Sequence, residues 1–166
     1  PNTKINRYGA TTDMMEAALN VCRIAKKNDL ISVIGGPHPT ILPYETIAFD
    51  EVDIVVIGEA EYTFLELMDF LENKKDLRKV KGIIFKNKNN KAEVVKTALR
   101  EPIKNLDELP FPARDLFPWK LYSSYTTIIR KSPAMHMMTS RGCPFHCTFC
   151  GSHALWKGCR SRGPKN

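Results

Sequence analysis

Over Asp13 to Asn28, apolar residues recur at three- and four-residue spacing, with Met15, Ala18, Leu19, Cys22 and Ala25 on one side. This predicts an amphipathic helix with Thr12 as its N-cap. Leu30 to Ile34 and Val52 to Ile57 are instead short apolar runs rich in β-branched residues, closed by Gly35-Gly36 and by Gly58. Such runs predict strands buried on both faces, as in a parallel sheet. Between them Pro43 to Phe49 predicts a short helix, and Glu59 to Glu72, with Tyr62, Leu65, Leu67, Met68 and Leu71, predicts a longer one. Strand, helix, strand, helix at this spacing makes the fold class α/β with a doubly wound sheet.

Gly82 to Lys86 and Glu93 to Thr97 flank the polar stretch Asn87 to Lys91, so they predict a β-hairpin added to the sheet. Pro102, Pro110, Pro112 and Pro118 follow at a density that no continuous helix or central strand accepts. The expected division is therefore an α/β domain with its hairpin at 1–99, a Pro-rich linker at 100–133 and a second domain at 134–166. Ala134 to Thr139 is the expected first strand of that second domain.

The chain has 166 residues, 43% hydrophobic and 26% charged, which is the composition of a globular protein. It has neither a run of the ~20 apolar residues a membrane span needs nor an apolar signal segment at its start, so a cytoplasmic protein with no membrane span is expected. The net charge of +7 is unevenly spread: residues 1–120 balance 18 basic against 18 acidic residues, whereas residues 121–166 hold seven basic residues and no acidic one. Something in the last quarter accommodates anions.

Three of the five cysteines explain where those anions could be. Cys143, Cys147 and Cys150 fall within eight residues as Cys-x3-Cys-x2-Cys, while Cys22 and Cys159 stand apart. Closely spaced thiols without a secretory signal indicate metal binding rather than a disulfide framework. Three thiolates can hold three corners of an iron–sulfur cube and leave the fourth iron open. A zinc site completed by His146, His153 or Cys159 and a closed four-cysteine cluster are the alternatives on the residues alone. Cys22, on the apolar side of its helix, is most simply a buried hydrophobe.

The loop Thr139-Ser140-Arg141-Gly142-Cys143 through Cys150 resembles the cluster loop of radical S-adenosylmethionine enzymes. Three further stretches, Val33-Ile34-Gly35-Gly36-Pro37-His38-Pro39-Thr40, Val52 through Glu61, and Asn105 through Pro112, resemble the cobalamin-binding domain and linker of the cobalamin-dependent members of that family. The resemblance implies a Rossmann-like cobalamin-binding sheet, N-terminally truncated, followed by the start of a partial (β/α) barrel. It implies a 4Fe-4S cluster on Cys143, Cys147 and Cys150, with S-adenosylmethionine on the open iron and Phe149 bordering its adenine. It also implies cobalamin along Thr11, Gly35, Gly36, Pro37, His38, Gly58 and Glu59. The implied chemistry is cleavage of the sulfonium C–S bond to methionine and a 5′-deoxyadenosyl radical, most often serving methyl transfer to an unreactive centre. A small-molecule substrate and an electron donor such as flavodoxin or ferredoxin go with it.

Without the resemblance, Gly35-Gly36-Pro37 is a tight turn, Glu59 and Glu61 suit the start of a helix through its dipole, and no Asp-x-His-x-x-Gly motif offers an axial histidine. The chain reads as a fragment, inactive by itself. Its alternatives are a radical S-adenosylmethionine enzyme with a vestigial α/β domain and a non-catalytic metal-bearing RNA-binding module. Trp156 is the only aromatic residue after Phe149, too few for base stacking, so no nucleic acid is expected and the basic tail is read as compensating the cluster and the S-adenosylmethionine carboxylate.

Overall fold

The computed structural model describes residues 14–87, 93–118 and 137–164. The chain divides into two compact units, one ending at Pro102 and the other beginning at Ile103. In the first, the order is α1 (Met14–Lys27), β1 (Val33–Ile34), α2 (Pro37–Ile41), α3 (Pro43–Ala48), β2 (Ile54–Val56), α4 (Glu61–Glu72), β3 (Ile83–Lys86) and β4 (Val94–Lys96). Thr12, the expected cap of α1, lies outside the described residues.

The sheet runs β1-β2-β3-β4. β1 and β2 are parallel, with Val33 opposite Ile54 and Ile34 opposite Val55, while β3 and β4 add the expected hairpin antiparallel to them. Side chains alternate between faces along a strand, and both faces are covered here. Val55, Ile57 and Ile84 pack with Leu19 and Cys22 of α1 and Ile47 of α3. Ile54, Val56, Ile83 and Phe85 pack on the opposite face with Leu67 of α4 and with Val80. That two-sided burial is why Val52 to Ile57 is apolar at every position except Asp53.

Asp53 serves the sheet's lower end. Its Oδ2 accepts the Ser32 N–H at 2.9 Å and lies 2.9 Å from Ser32 Oγ, which in turn accepts the Asp53 N–H at 2.9 Å. The pair holds β1 against β2 just before both strands begin. Helices α1 and α4 end in the same way. Leu30 N–H reaches the Ala25 carbonyl at 2.9 Å and Lys75 N–H reaches that of Phe70 at 2.8 Å, with Asp29 (φ 56°) and Lys74 (φ 51°) left-handed between. This is the Schellman closure, made here by two residues other than glycine.

In the second unit, residues 134–136 lie outside the described residues and Met137 to Thr139 form no strand; the strand is β5 (Ser140–Arg141), antiparallel to β6 (Arg160–Ser161), with the short α5 (Ser152–Leu155) between. Among the described residues this pair is the whole sheet of the unit, and no barrel is formed. The Pro-rich stretch expected as a linker contributes to this unit: Ile103, Leu106 and Leu109 form a buried cluster around a 3-10 turn at Leu106–Glu108, whose start Asn105 caps by accepting the Asp107 N–H at 3.1 Å. Prolines stop helices and strands without preventing a single turn from packing.

Candidate functional site

In the first unit, the parallel strands β1 and β2 end side by side, and each runs into a glycine loop. Gly36 has φ 113° and ψ −169°, and Gly58 has φ 81°, backbone conformations that side-chain-bearing residues rarely adopt. A Cβ built on either would meet no atom within 4 Å, so both glycines border open space. At Gly35, by contrast, a Cβ would already touch Val56 at 3.5 Å, which places Gly35 against the sheet. Carboxyl ends of parallel strands are where α/β sheets seat ligands, and bare backbone there can approach a ligand closely.

A single residue joins the two loops. Thr40 N–H donates to the Gly36 carbonyl at 3.1 Å, and its Oγ1 accepts the Gly58 N–H at 3.0 Å. Pro37 starts α2, a position that suits its fixed φ and missing N–H, and exposed His38 follows it. Glu59 is half-buried after Gly58. The structure therefore brings Gly35, Gly36, Pro37, His38, Gly58 and Glu59 onto one strand-end edge, while Thr11 lies outside the described residues. This open glycine cradle fits a ligand that lies along backbone, as the expected cobalamin tail would.

In the second unit, the loop from β5 to α5 carries Cys143, half-buried, and Cys147 and Cys150, both exposed; none is in a disulfide. The Cys150 N–H donates to the Cys147 carbonyl at 3.1 Å, a turn that keeps those two thiols on one short arc. Phe149 between them is 91% exposed. The donor set suits a metal cluster, three free thiols beside basic residues, but among the described residues no three metal-binding side chains are gathered around one point. His146 and His153 stack across the loop with ring centroids 4.6 Å apart and an interplanar angle of 12°.

Sequence reasoning missed what the basic residues of this unit do. Arg160 Nη1 donates to the Ile103 carbonyl at 2.7 Å and Arg162 Nη1 to that of Leu109 at 3.0 Å. Arg162 also lies 5.0 Å from the Phe111 ring centroid, and Arg141 lies 5.5 Å from that of Trp156. These three cations thus tie the Pro-rich segment and α5's end to the strand pair, a role distinct from the anion compensation expected of them. The bond from Gly58 to Thr40 was also not foreseen; Thr40's place four residues after Gly36, on the next turn of helix, is the only signal the sequence offered.

Residues 8–68 match the B12 binding domain family. The chain is 41% identical over 157 residues to an uncharacterised methyltransferase of Pyrococcus horikoshii, covering 93% of this chain and 32% of that protein. It is 33% identical over 151 residues to the anaerobic magnesium-protoporphyrin IX monomethyl ester cyclase of Synechocystis, covering 87% of this chain and 29% of the cyclase. It thus spans about a third of the length of these curated relatives. The fold is similar to that of OxsB, a cobalamin-dependent S-adenosylmethionine radical enzyme solved with aqua-cobalamin and S-adenosylmethionine bound, with a TM-score of 0.60 at 23% identity over 90% of this chain and 19% of that one. No helix among the described residues is long and apolar enough to cross a membrane. Residues 8–68 are thus a segment of B12-binding-domain type, in a chain whose fold is similar to that of a cobalamin-dependent S-adenosylmethionine radical enzyme.

Proposed function

We propose that this chain is the corrinoid-binding and cluster-bearing part of a cobalamin-dependent radical S-adenosylmethionine enzyme, with methyl transfer to an unreactive centre of a small molecule as its reaction. The observation that carries the reading is the pair of open glycines, Gly36 and Gly58, at the carboxyl ends of two parallel strands inside the segment that matches the B12 binding domain family. In this reading Gly35, Gly36, Pro37 and His38 form one side of the corrinoid tail's seat and Gly58 and Glu59 the other, with Thr11 assigned to the same seat from the sequence. Cys143, Cys147 and Cys150 hold a 4Fe-4S cluster, and Phe149 borders the adenine of S-adenosylmethionine. The chemistry these cofactors supply is one-electron cleavage of S-adenosylmethionine and methyl carriage on cobalt; a donor of flavodoxin or ferredoxin type provides the electron. The protein's part is to seat both groups and to leave one iron without a side-chain ligand.

The test uses the full-length protein, reconstituted anaerobically with iron and sulfide and incubated with hydroxocobalamin. The expected result is one 4Fe-4S cluster and one corrinoid per chain, with S-adenosylmethionine perturbing the reduced cluster's EPR spectrum. Replacing Cys143, Cys147 and Cys150 together by Ala removes the cluster's visible absorption, whereas Cys22→Ala and Cys159→Ala leave it. Stoichiometric zinc without iron rejects the cluster, and absence of a corrinoid spectrum makes the α/β domain a vestigial one.

A further inference from the structure

We propose that Thr40 is a positioning residue that sets the width of the corrinoid seat by tying the Gly36 loop to the Gly58 loop. The inference rests on the corrinoid-binding reading. Its N–H reaches back to the Gly36 carbonyl at 3.1 Å while its hydroxyl oxygen takes the Gly58 N–H at 3.0 Å, so one residue holds both edges of the cradle through bonds on opposite sides of itself. Neither glycine has a side chain with which to brace its own loop, and both sit in backbone conformations that flexible glycine alone enters easily. Below them the strands are fixed by the pairing of Ile34 with Val55. Above that pair, Thr40 is what ties the loop after β1 to the loop after β2. A ligand lying along both glycines needs their separation fixed before it arrives, because any freedom left there is lost on binding.

The hydroxyl, not the methyl group, makes the tie, and this gives the inference its test. Thr40→Val is nearly isosteric and keeps the β-branch, so it preserves packing and backbone preference while leaving the Gly58 N–H, in an exposed loop, to water. Thr40→Ser does the reverse, keeping the hydroxyl and deleting the methyl. In the full-length protein, titration with hydroxocobalamin followed by the corrinoid visible spectrum is expected to show about five- to tenfold weaker binding for Thr40→Val, the equivalent of one ordinary hydrogen bond. Thr40→Ser is expected to bind within about twofold of the parent on the same reasoning. Iron content and the thermal midpoint are expected to be unchanged in both variants. If Thr40→Val binds as tightly as the parent, or if Thr40→Ser is as weak as Thr40→Val, the inference is wrong and Thr40 only packs. A parent without any corrinoid spectrum overturns the corrinoid reading itself and this inference with it, whereas a binding parent matched by Thr40→Val overturns the inference alone.

Discussion

Gly142 stands against the backbone of Gly158: a Cβ on residue 142 would lie 1.8 Å from the Gly158 carbonyl oxygen and 3.4 Å from the Cys159 Cα. No side chain can be placed there without moving one strand off the other, and the strand that would move leads directly into Cys143. Gly142→Ala is therefore expected to open the β5–β6 pair and to lower the iron retained after anaerobic reconstitution to a small fraction of the parent's. Gly151, directly after Cys150, supplies the control, because a Cβ there meets nothing within 4 Å and its φ of −74° suits any residue. Gly151→Ala is expected to retain full iron. Equal iron and sulfide in the two variants would show that the close approach at Gly142 has no bearing on the cluster loop.

The parts of this molecule that were legible in its sequence are those in which one local pattern decides the outcome. Val52 to Ile57 could be read as a doubly buried strand because both faces of β2 are covered, so every side chain but Asp53 had to be apolar. The glycine loops were legible because open backbone needs glycine. The helix ends were less so, since Asp29 and Lys74 take left-handed positions where glycine is the usual marker. Leu106 and Leu109, three residues apart, gave too short a pattern to set against the prolines around them, and their packing is seen only once Ile103 joins them. Strands β5 and β6 are polar and two residues long, so no alternation marks them, whereas Ala134 to Thr139 carried the apolar residues that suggested a strand. The Thr40 to Gly58 bond spans 18 residues and exists only because the β1–β2 register brings two loops together, which no local spacing encodes.

A pH dependence follows from Arg23 on α1. Its Nε donates to Glu51 Oε1 at 2.8 Å, which holds the Glu51 carboxyl below its ordinary value of 4.5. A carboxyl that binds its proton less tightly when folded adds stability that is complete above the ordinary value and is lost as pH falls through the lowered one. Glu51→Gln is expected to have a lower thermal midpoint than the parent at neutral pH. The gap between the two should close as the pH is brought below 4.5. Parallel midpoint curves through that range would mean that the ion pair contributes nothing to folding.

Asp107 receives one N–H on both of its oxygens. Gly163 N–H lies 3.0 Å from each, while Asn105 accepts the Asp107 N–H and so fixes the turn that aims the carboxylate. Three residues and one residue before Gly163, Arg160 and Arg162 donate to the carbonyls of Ile103 and Leu109, so the same short stretch is bound to the Pro-rich segment by three side chains of two chemical kinds. A hydrogen bond from a backbone N–H to a charged acceptor contributes on the order of 1 to 2 kcal/mol when partly shielded. Asp107→Ala should therefore loosen residues 160–163 without touching a cysteine, while Asp107→Asn, which keeps one oxygen in place, should cost less. The Gly163 amide reports this directly: its hydrogen exchange is expected to speed up by roughly tenfold in Asp107→Ala, the factor that corresponds to about 1.4 kcal/mol of lost protection. Exchange at Gly163 as slow in Asp107→Ala as in the parent would show that the arginine contacts alone hold residues 160–163 to the Pro-rich segment.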